Sequence, residues 1–482
     1  MKKRLLISLA FLSFIPIYNL GAECTVTSIA GNGIVSSSGD GRPAVAASLN
    51  NPAGLAVDSA GNIYVAEFSG HRIRRIVSSG VINTFAGTGD PFFADLRDGD
   101  HADHAHLIYP KYIALDPTGN LFIQEGLYES GWIRKVAASS SIITTVAGGV
   151  TNCDGDVERG LNGIEAVSAC LLPQNIVINS EGNLYFIDSL NSLGGSEGDH
   201  AVIRKIMTDG TVETIAGTGR RGWSGDGGSA LSAQIYATDL AFDNNGNLYF
   251  ASGNYVRKIA PDGIISTVAG NIRGCDSPYA TLQDNVPATS ASICAHTIAV
   301  DSQGNLYIGG VNRVWKVSSS NNMIKRIAGN GTAGFSNGPA REAQFNGIAD
   351  IASHSDGSIY ISDGGNNRIR KIKCKPDLVI ESVSILGRGS RLINIRVTIA
   401  NHGESEARGP FSIGVRPDGY TKPGYNSVQQ VLRSGQSLEG GGIVEKTLSL
   451  PAAESMEFTI DSGHRVEESN EENNIFPFVS SN

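Results

Sequence analysis

The chain has 482 residues, a formal net charge of −9, 59 glycines, 4 methionines and only 18% charged residues. This composition suits many short strands joined by tight turns better than long surface helices. The lack of a basic excess argues against nucleic acid as a partner, because phosphate neutralisation needs a cationic face, and no stretch approaches the ~20 apolar residues of a membrane-spanning helix.

The N-terminus reads Met1-Lys2-Lys3-Arg4, then an apolar run from Leu5 to Ile17, then a small-residue exit at Gly21-Ala22. Charged head, short apolar middle and small exit make residues 1–22 a secretory signal. The mature protein is therefore expected in an oxidising place, secreted or extracytoplasmic, in a periplasm or at a cell surface. There Cys24, Cys153, Cys170, Cys275, Cys294 and Cys374 are expected to form disulfides. No cysteine or histidine pair has zinc spacing, and no cofactor is called for.

From residue 23 the chain repeats. The pattern Ala-x-x-Ala-x-apolar begins at Ala44, Ala102, Ala166, Ala230, Ala288 and Ala340. Each repeat continues with an apolar strand such as Gly54–Val57, a turn such as Asp58–Asn62, and a second strand through Val65. A third strand such as Arg72–Ile76 follows, then a fourth ending in Ala86-Gly87. Four short strands per repeat are propeller blades, so residues 23–374 are expected to form an all-β, six-bladed propeller. The sixth repeat stops at Ile372, while Thr25-Val26-Thr27-Ser28-Ile29-Ala30-Gly31 has no repeat of its own. The N-terminal strand should therefore close the last blade, which sets Cys24 against Cys374. Cys153 with Cys170 and Cys275 with Cys294 bracket the long connections into blades three and five.

The aspartates that open the turns at Asp58, Asp116, Asp243 and Asp301 look like metal ligands but recur as turn closers, a role Asx side chains fill by bonding their own backbone. The sixth copy, Ser353 to Ser358, reads as one residue longer. Four second strands end in acids, Glu67, Glu125, Asp188 and Asp363, opposite third-strand arginines. The fifth repeat has Gly310 and Trp315 at those two places. Joint presence and joint absence predict cross-strand ion pairs of ~0.2–1 kcal/mol each, with Ser252 opposite Arg257 in the fourth repeat as an unexplained exception. The cluster Asp100–His106 invites a transition-metal reading, but it aligns with the ordinary connecting segment of other repeats.

Gly222-Trp223-Ser224-Gly225-Asp226-Gly227-Gly228, Gly246-Asn247-Leu248-Tyr249 and Asn367-Arg368-Ile369-Arg370-Lys371-Ile372 together resemble the NHL-repeat family over residues 25–372. That resemblance implies a six-bladed propeller used more often as a binding platform than as an enzyme, although related propellers include lyases and lactonases. Past Cys374 a different pattern begins. Pro376-Asp377-Leu378, Asn401-His402-Gly403 with Ala407, Leu432 with Gly435, and Val466–Asn474 resemble the CARDB (cell-adhesion-related) family. The resemblance implies an immunoglobulin-like β-sandwich over 375–482. Asp461, Glu468 and Glu471 lack the spacing of a defined calcium loop and read as a solvated strand end.

No Gly-x-Ser-x-Gly elbow or phosphate loop is present. A ligand would meet the propeller where six innermost strands begin, since converging polar groups in a concavity are the default binding site. Asp239, Asp350, Asn175 and His296 are the leading candidates there, followed by Lys111, Tyr112 and Gln174. The expected function is a secreted binding or adhesion scaffold presenting a propeller face to a protein or glycan partner. The alternative is a metal-assisted lactonase or lyase, in which Asp239 and Asp350 hold a divalent cation and His296 orients substrate or moves a proton.

Overall fold

The computed structural model describes the chain from Cys24 to Cys374 apart from residues 93–94, 128–129, 150–161, 191–199, 272–283 and 311, and, beyond it, the strands of the C-terminal region. The signal, Cys153, Cys275 and the acidic stretch 461–474 lie outside the described residues. Two compact units result: Cys24–Lys373 and the chain from Cys374 onward.

The first unit is the six-bladed propeller. Its innermost strands, Pro52–Val57, Tyr112–Leu115, Pro173–Ile178, Asp239–Phe242, Thr297–Val300 and Ile348–Ser353, neighbour one another in ring order, the sixth against the first. Each blade runs outward through antiparallel second, third and fourth strands. The N-terminal strand Thr25–Ala30 closes blade six by pairing with the third strand Arg368–Lys373, Thr25 opposite Lys373.

In the first five repeats the alanines form a short 3-10 turn, as at Ala44–Ala46 and Ala230–Ser232. Ala44 and Ala47 are both buried, as are their counterparts in every repeat. A larger side chain would have no room there, which is why alanine recurs. The predicted turn closers are in place: Asp58 Oδ1 accepts the Ala60 and Asn62 amides at 3.0 and 2.8 Å. Asp116, Asn179, Asp243 and Asp301 do likewise. The sixth turn is not longer. His354 donates its amide to Ser358 just as Asp58 does to Asn62, so the innermost strand keeps Ser353 and the turn begins one residue later than the sequence suggested.

Among the described residues the third-strand arginines are the largest side chains that are fully buried: Arg74, Arg134, Arg204, Arg257 and Arg370. Arg134 shows the arrangement. Its guanidinium meets Glu125 at 3.1 Å and Asp98 at 2.7 Å, and donates to the carbonyls of His106 and Leu96. Glu125 in turn accepts the Ile108 amide at 2.8 Å, and Asp98 accepts the Thr145 amide at 3.0 Å. One buried cation thus fastens the second, third and fourth strands to the connecting segment that leads into the blade. The expected ion pairs recur at Arg74–Glu67, Arg204–Asp188 and Arg370–Asp363.

The fourth blade ceases to be an exception. Arg257 is paired with Asp226, which lies four residues before Ala230, just as Asp40 and Asp98 precede Ala44 and Ala102. In blade five, Trp315 fills the arginine's place, and the corresponding Asp284 accepts the Arg326 amide and pairs with Arg341. Burial raises the pKa of Glu67 despite Arg74. In Asp40, which keeps half its side chain in water, bonds from Thr84 and the charge of Arg74 outweigh partial burial and lower it.

The C-terminal unit is also all β. It contains a three-stranded sheet of Leu378–Arg388, Leu392–Asn401 and Ile443–Pro451, and a four-stranded sheet of Ser427–Leu432, Phe411–Pro417, Ser455–Ile460 and Ile475–Val479. Leu378–Arg388 neighbours the last two strands of the other sheet.

Because these ion pairs are buried, the surface-type figure of a few tenths of a kcal/mol understates them. Removing one partner strands the other charge, so Arg134→Ala or Glu125→Ala should destabilise the propeller by about 3–5 kcal/mol in urea titrations monitored by near-UV circular dichroism. A loss below 1 kcal/mol would show that the pair is not buried as described. Cys24, Cys170, Cys294 and Cys374 are all disulfide-bonded. A non-reducing peptide map should join Cys24 to Cys374, as the Thr25–Lys373 register requires; Cys24 joined to any other cysteine would contradict that.

Candidate functional site

In each blade the connecting segment leads into the start of an innermost strand, so the six starts ring one end of a central channel. They surround a cavity of about 330 Å³ lined by Tyr112, Asn175, Asp239 and Asp350 near its mouth and by aliphatic residues such as Leu55, Ile176 and Ile298 below. Four of the seven candidate residues therefore converge. Lys111 sits beside them, half-buried, its ammonium 4.9 Å from the centre of the Tyr112 ring. Gln174 and His296 do not join the lining; both side chains are exposed. Gln174 falls at a β-bulge between Pro173 and Asn175, and His296 immediately precedes the strand Thr297–Val300.

The two aspartates are engaged in the ring itself. Asp239 accepts its neighbour's amide at Leu240, the side-chain amide of Asn175 at 2.6 Å, and the amide of Ile298 in the next blade at 2.6 Å. Asp350 accepts the Ile351 amide, the Thr297 hydroxyl at 3.0 Å, and the Leu55 amide at 2.7 Å. Each carboxylate thus ties its own innermost strand to the one after it, and Asp350 makes the tie that closes blade six onto blade one. Asn175 Oδ1 is left as a buried acceptor with no partner among the described residues.

Burial and proximity act together on this pair. Burial raises the pKa of Asp239 to about 6 against four hydrogen bonds, and burial plus the Asp239 charge raises that of Asp350 to about 8. Burial, followed by the charges of Asp239 and Asp350, pushes the Tyr112 hydroxyl up, and burial alone lowers the Lys111 ammonium. Chemically, the mouth is two carboxyls that hold a proton up to unusually high pH, one free amide oxygen and one nearby cation.

The histidine cluster is a surface feature. His101 and Asp103 bond to each other with His104 alongside, while His106 turns inward to Thr88 Oγ1 and the Asp90 carbonyl. Among the described residues no three His, Cys, Asp or Glu side chains are placed to hold a metal ion together.

A six-bladed ring of four-stranded, NHL-like repeats defines the class. Comparison with known proteins agrees. The Teneurin NHL domain family matches residues 21–94, and the CARDB family matches residues 375–478. Mouse Teneurin-3 is 28% identical over 360 residues, covering 67% of this chain, and Drosophila melanogaster Teneurin-m is 25% identical over 354 residues, again covering 67%. In both cases the match takes in 12% of the relative's length. A Bacteroides thetaiotaomicron structural-genomics protein of unknown function shares the fold at a TM-score of 0.50 and 17% identity, over 73% of this chain and 76% of that one. The protein is a six-bladed β-propeller similar to NHL-repeat domains, followed by an all-β region similar to the CARDB family.

The elevated carboxyls set a pH dependence. An unfolded aspartate titrates near about 4, so between that pH and about 8 the folded protein binds more protons than the unfolded chain. The stability contributed by this pair is then fullest in mild acid and falls as pH rises through neutrality. Asp350→Asn should flatten that fall, its melting temperature declining less than wild type between pH 5 and pH 8.5. Equal declines in the two proteins would show that Asp350 is ionised throughout.

Proposed function

We propose that the protein is an extracytoplasmic binding and adhesion scaffold that presents a propeller face to a protein or glycan partner. The observation that carries this reading is the state of the two channel aspartates: every carboxylate oxygen accepts a hydrogen bond from the ring, four of those bonds crossing between blades. Groups spent on holding the ring closed are poorly placed to shed those bonds for a substrate, since a buried amide left unpaired costs about 1–3 kcal/mol. Likeness to the Teneurin NHL domain and the CARDB region behind the propeller support the same reading. The bonded cysteines support an oxidising compartment, and among the described residues no helix is long and apolar enough to cross a membrane.

The lactonase or lyase reading needs His296 to act with Asp239 and Asp350. His296 is exposed and outside the channel lining, and its carbonyl is engaged by the Thr238 hydroxyl. Purified wild type and Asp239→Ala should both hold no stoichiometric metal and turn over no lactone. A wild type that hydrolyses lactones, with activity and metal both lost in Asp239→Ala, would overturn the scaffold reading.

A further inference from the structure

Inside the channel mouth one buried acceptor is left over. Asn175 is 3% exposed; its Nδ2 donates to Asp239, while Oδ1 bonds nothing among the described residues. A buried acceptor left unbonded is costly, so a donor belongs beside it. The Tyr112 hydroxyl lines the same space and makes no hydrogen bond to the described residues. Asp239 Oδ2 and Asp350 Oδ2 each accept one backbone amide, from Ile298 and Leu55, and a carboxylate oxygen has room for a second donor.

Charge points the same way. The titratable groups that line the cavity are Tyr112, Asp239 and Asp350. Lys111, the cation beside them, lies over the Tyr112 ring and against neither carboxylate. After burial, the Asp239 charge is what raises the pKa of Asp350, and both carboxylates raise that of the Tyr112 hydroxyl. Negative potential thus gathers where the unbonded acceptor sits. Below the mouth the lining is aliphatic, with Leu55, Ile113, Ile176 and Ile298. A cavity of about 330 Å³ stands near the lower end of ligand pockets, roughly 300–1,000 Å³, so its occupant is a small molecule.

We propose that the channel holds a small primary alkylammonium ion, its nitrogen beside Asn175 Oδ1 and its alkyl chain against the aliphatic lining. An ammonium carries three donors on one charged atom, which matches a free amide oxygen, a phenol oxygen and an open carboxylate lone pair. A divalent metal ion matches less well. Hard cations such as calcium take about six or more oxygen ligands, and no three His, Cys, Asp or Glu side chains among the described residues are placed to hold one. Because the polar end of the cavity is its mouth, the tail enters first. That selects a free amine over the lysine side chain of a partner, whose stem would stay outside. The aspartates keep every bond to the ring, so this site goes beyond the scaffold reading and leaves it intact.

The test is isothermal titration calorimetry of the full mature chain with n-butylammonium chloride. Tetramethylammonium, n-butanol and Nα-acetyl-lysine methylamide are titrated in parallel. Butylammonium should bind one to one and at least tenfold more tightly than tetramethylammonium, which lacks N–H donors, than butanol, which lacks the charge, and than the lysine derivative. Its affinity should rise at least threefold between pH 6 and pH 8, since carboxyls that ionise across that range attract the cation. Tyr112→Phe keeps the ring and loses only the hydroxyl, and should weaken binding at least threefold; Asn175→Leu should weaken it at least tenfold. Asn175→Leu also removes a bond of the ring, so if that variant does not fold, Tyr112→Phe and the pH series decide. No binding at millimolar butylammonium would overturn the proposal, as would equal binding of any parallel compound, an affinity that falls with pH, or unchanged binding in every folded variant. None of these outcomes bears on the scaffold reading, which fails separately if the protein holds metal and turns over lactones.

Discussion

The arginine at the centre of five of the six third strands is the constraint on which the rest of this propeller depends. A guanidinium with no access to water is tolerable only when its charge is matched and most of its donors are bonded. In blades one and two one acid comes from the second strand and another from the connecting segment, and carbonyls of that segment take further donors, leaving only Nε of Arg74 and Arg134 unbonded among the described residues. The partners come from parts of the chain far apart in sequence, as with Arg134, Glu125 and Asp98. Satisfying the cation therefore fixes where the connecting segment runs, and that path sets the start of the innermost strand. The channel mouth and the loops around it inherit their positions from these buried charges.

A second set of bonds works between blades rather than within them. Asp239 and Asp350 each reach the amide of the next innermost strand, while Gly54 donates its own amide to the Lys111 carbonyl at 2.7 Å. Glycine suits that position because a side chain there would run into the Lys111 carbonyl and the Tyr112 backbone. A ring closed by such specific contacts tolerates change in its outer loops. That division is useful in a binding protein, where a fixed scaffold carries variable surface.

Repeat number, strand order and closure by Thr25–Ala30 were legible because alanines, turn aspartates and strand-three arginines recur in one order. The acid for Arg257 was legible too, in principle. Asp226 stands four residues before its alanine turn like Asp40 and Asp98, but comparing only strand-two residues hides it. Side-chain direction was harder to read. Asn175 and Asp239 could be placed at the mouth, whereas Gln174 falls at a β-bulge and His296 just ahead of its strand, and both side chains are exposed. The role of the aspartates was not legible at all, because two carboxylates in a list look alike whether they await a cation or hold a neighbouring strand. Only the crossing bonds to Ile298 and Leu55 distinguish the two.

Those crossing bonds are open to direct measurement. Native-state amide hydrogen exchange of the full chain should find the Leu55 and Ile298 amides as slow as core strand amides such as Val65, since each is held by a buried carboxylate rather than by water. If instead both exchange as fast as exposed turn amides while the strands around them stay protected, the aspartates are not tied into the ring, and the account of the channel as a closed structural element is wrong.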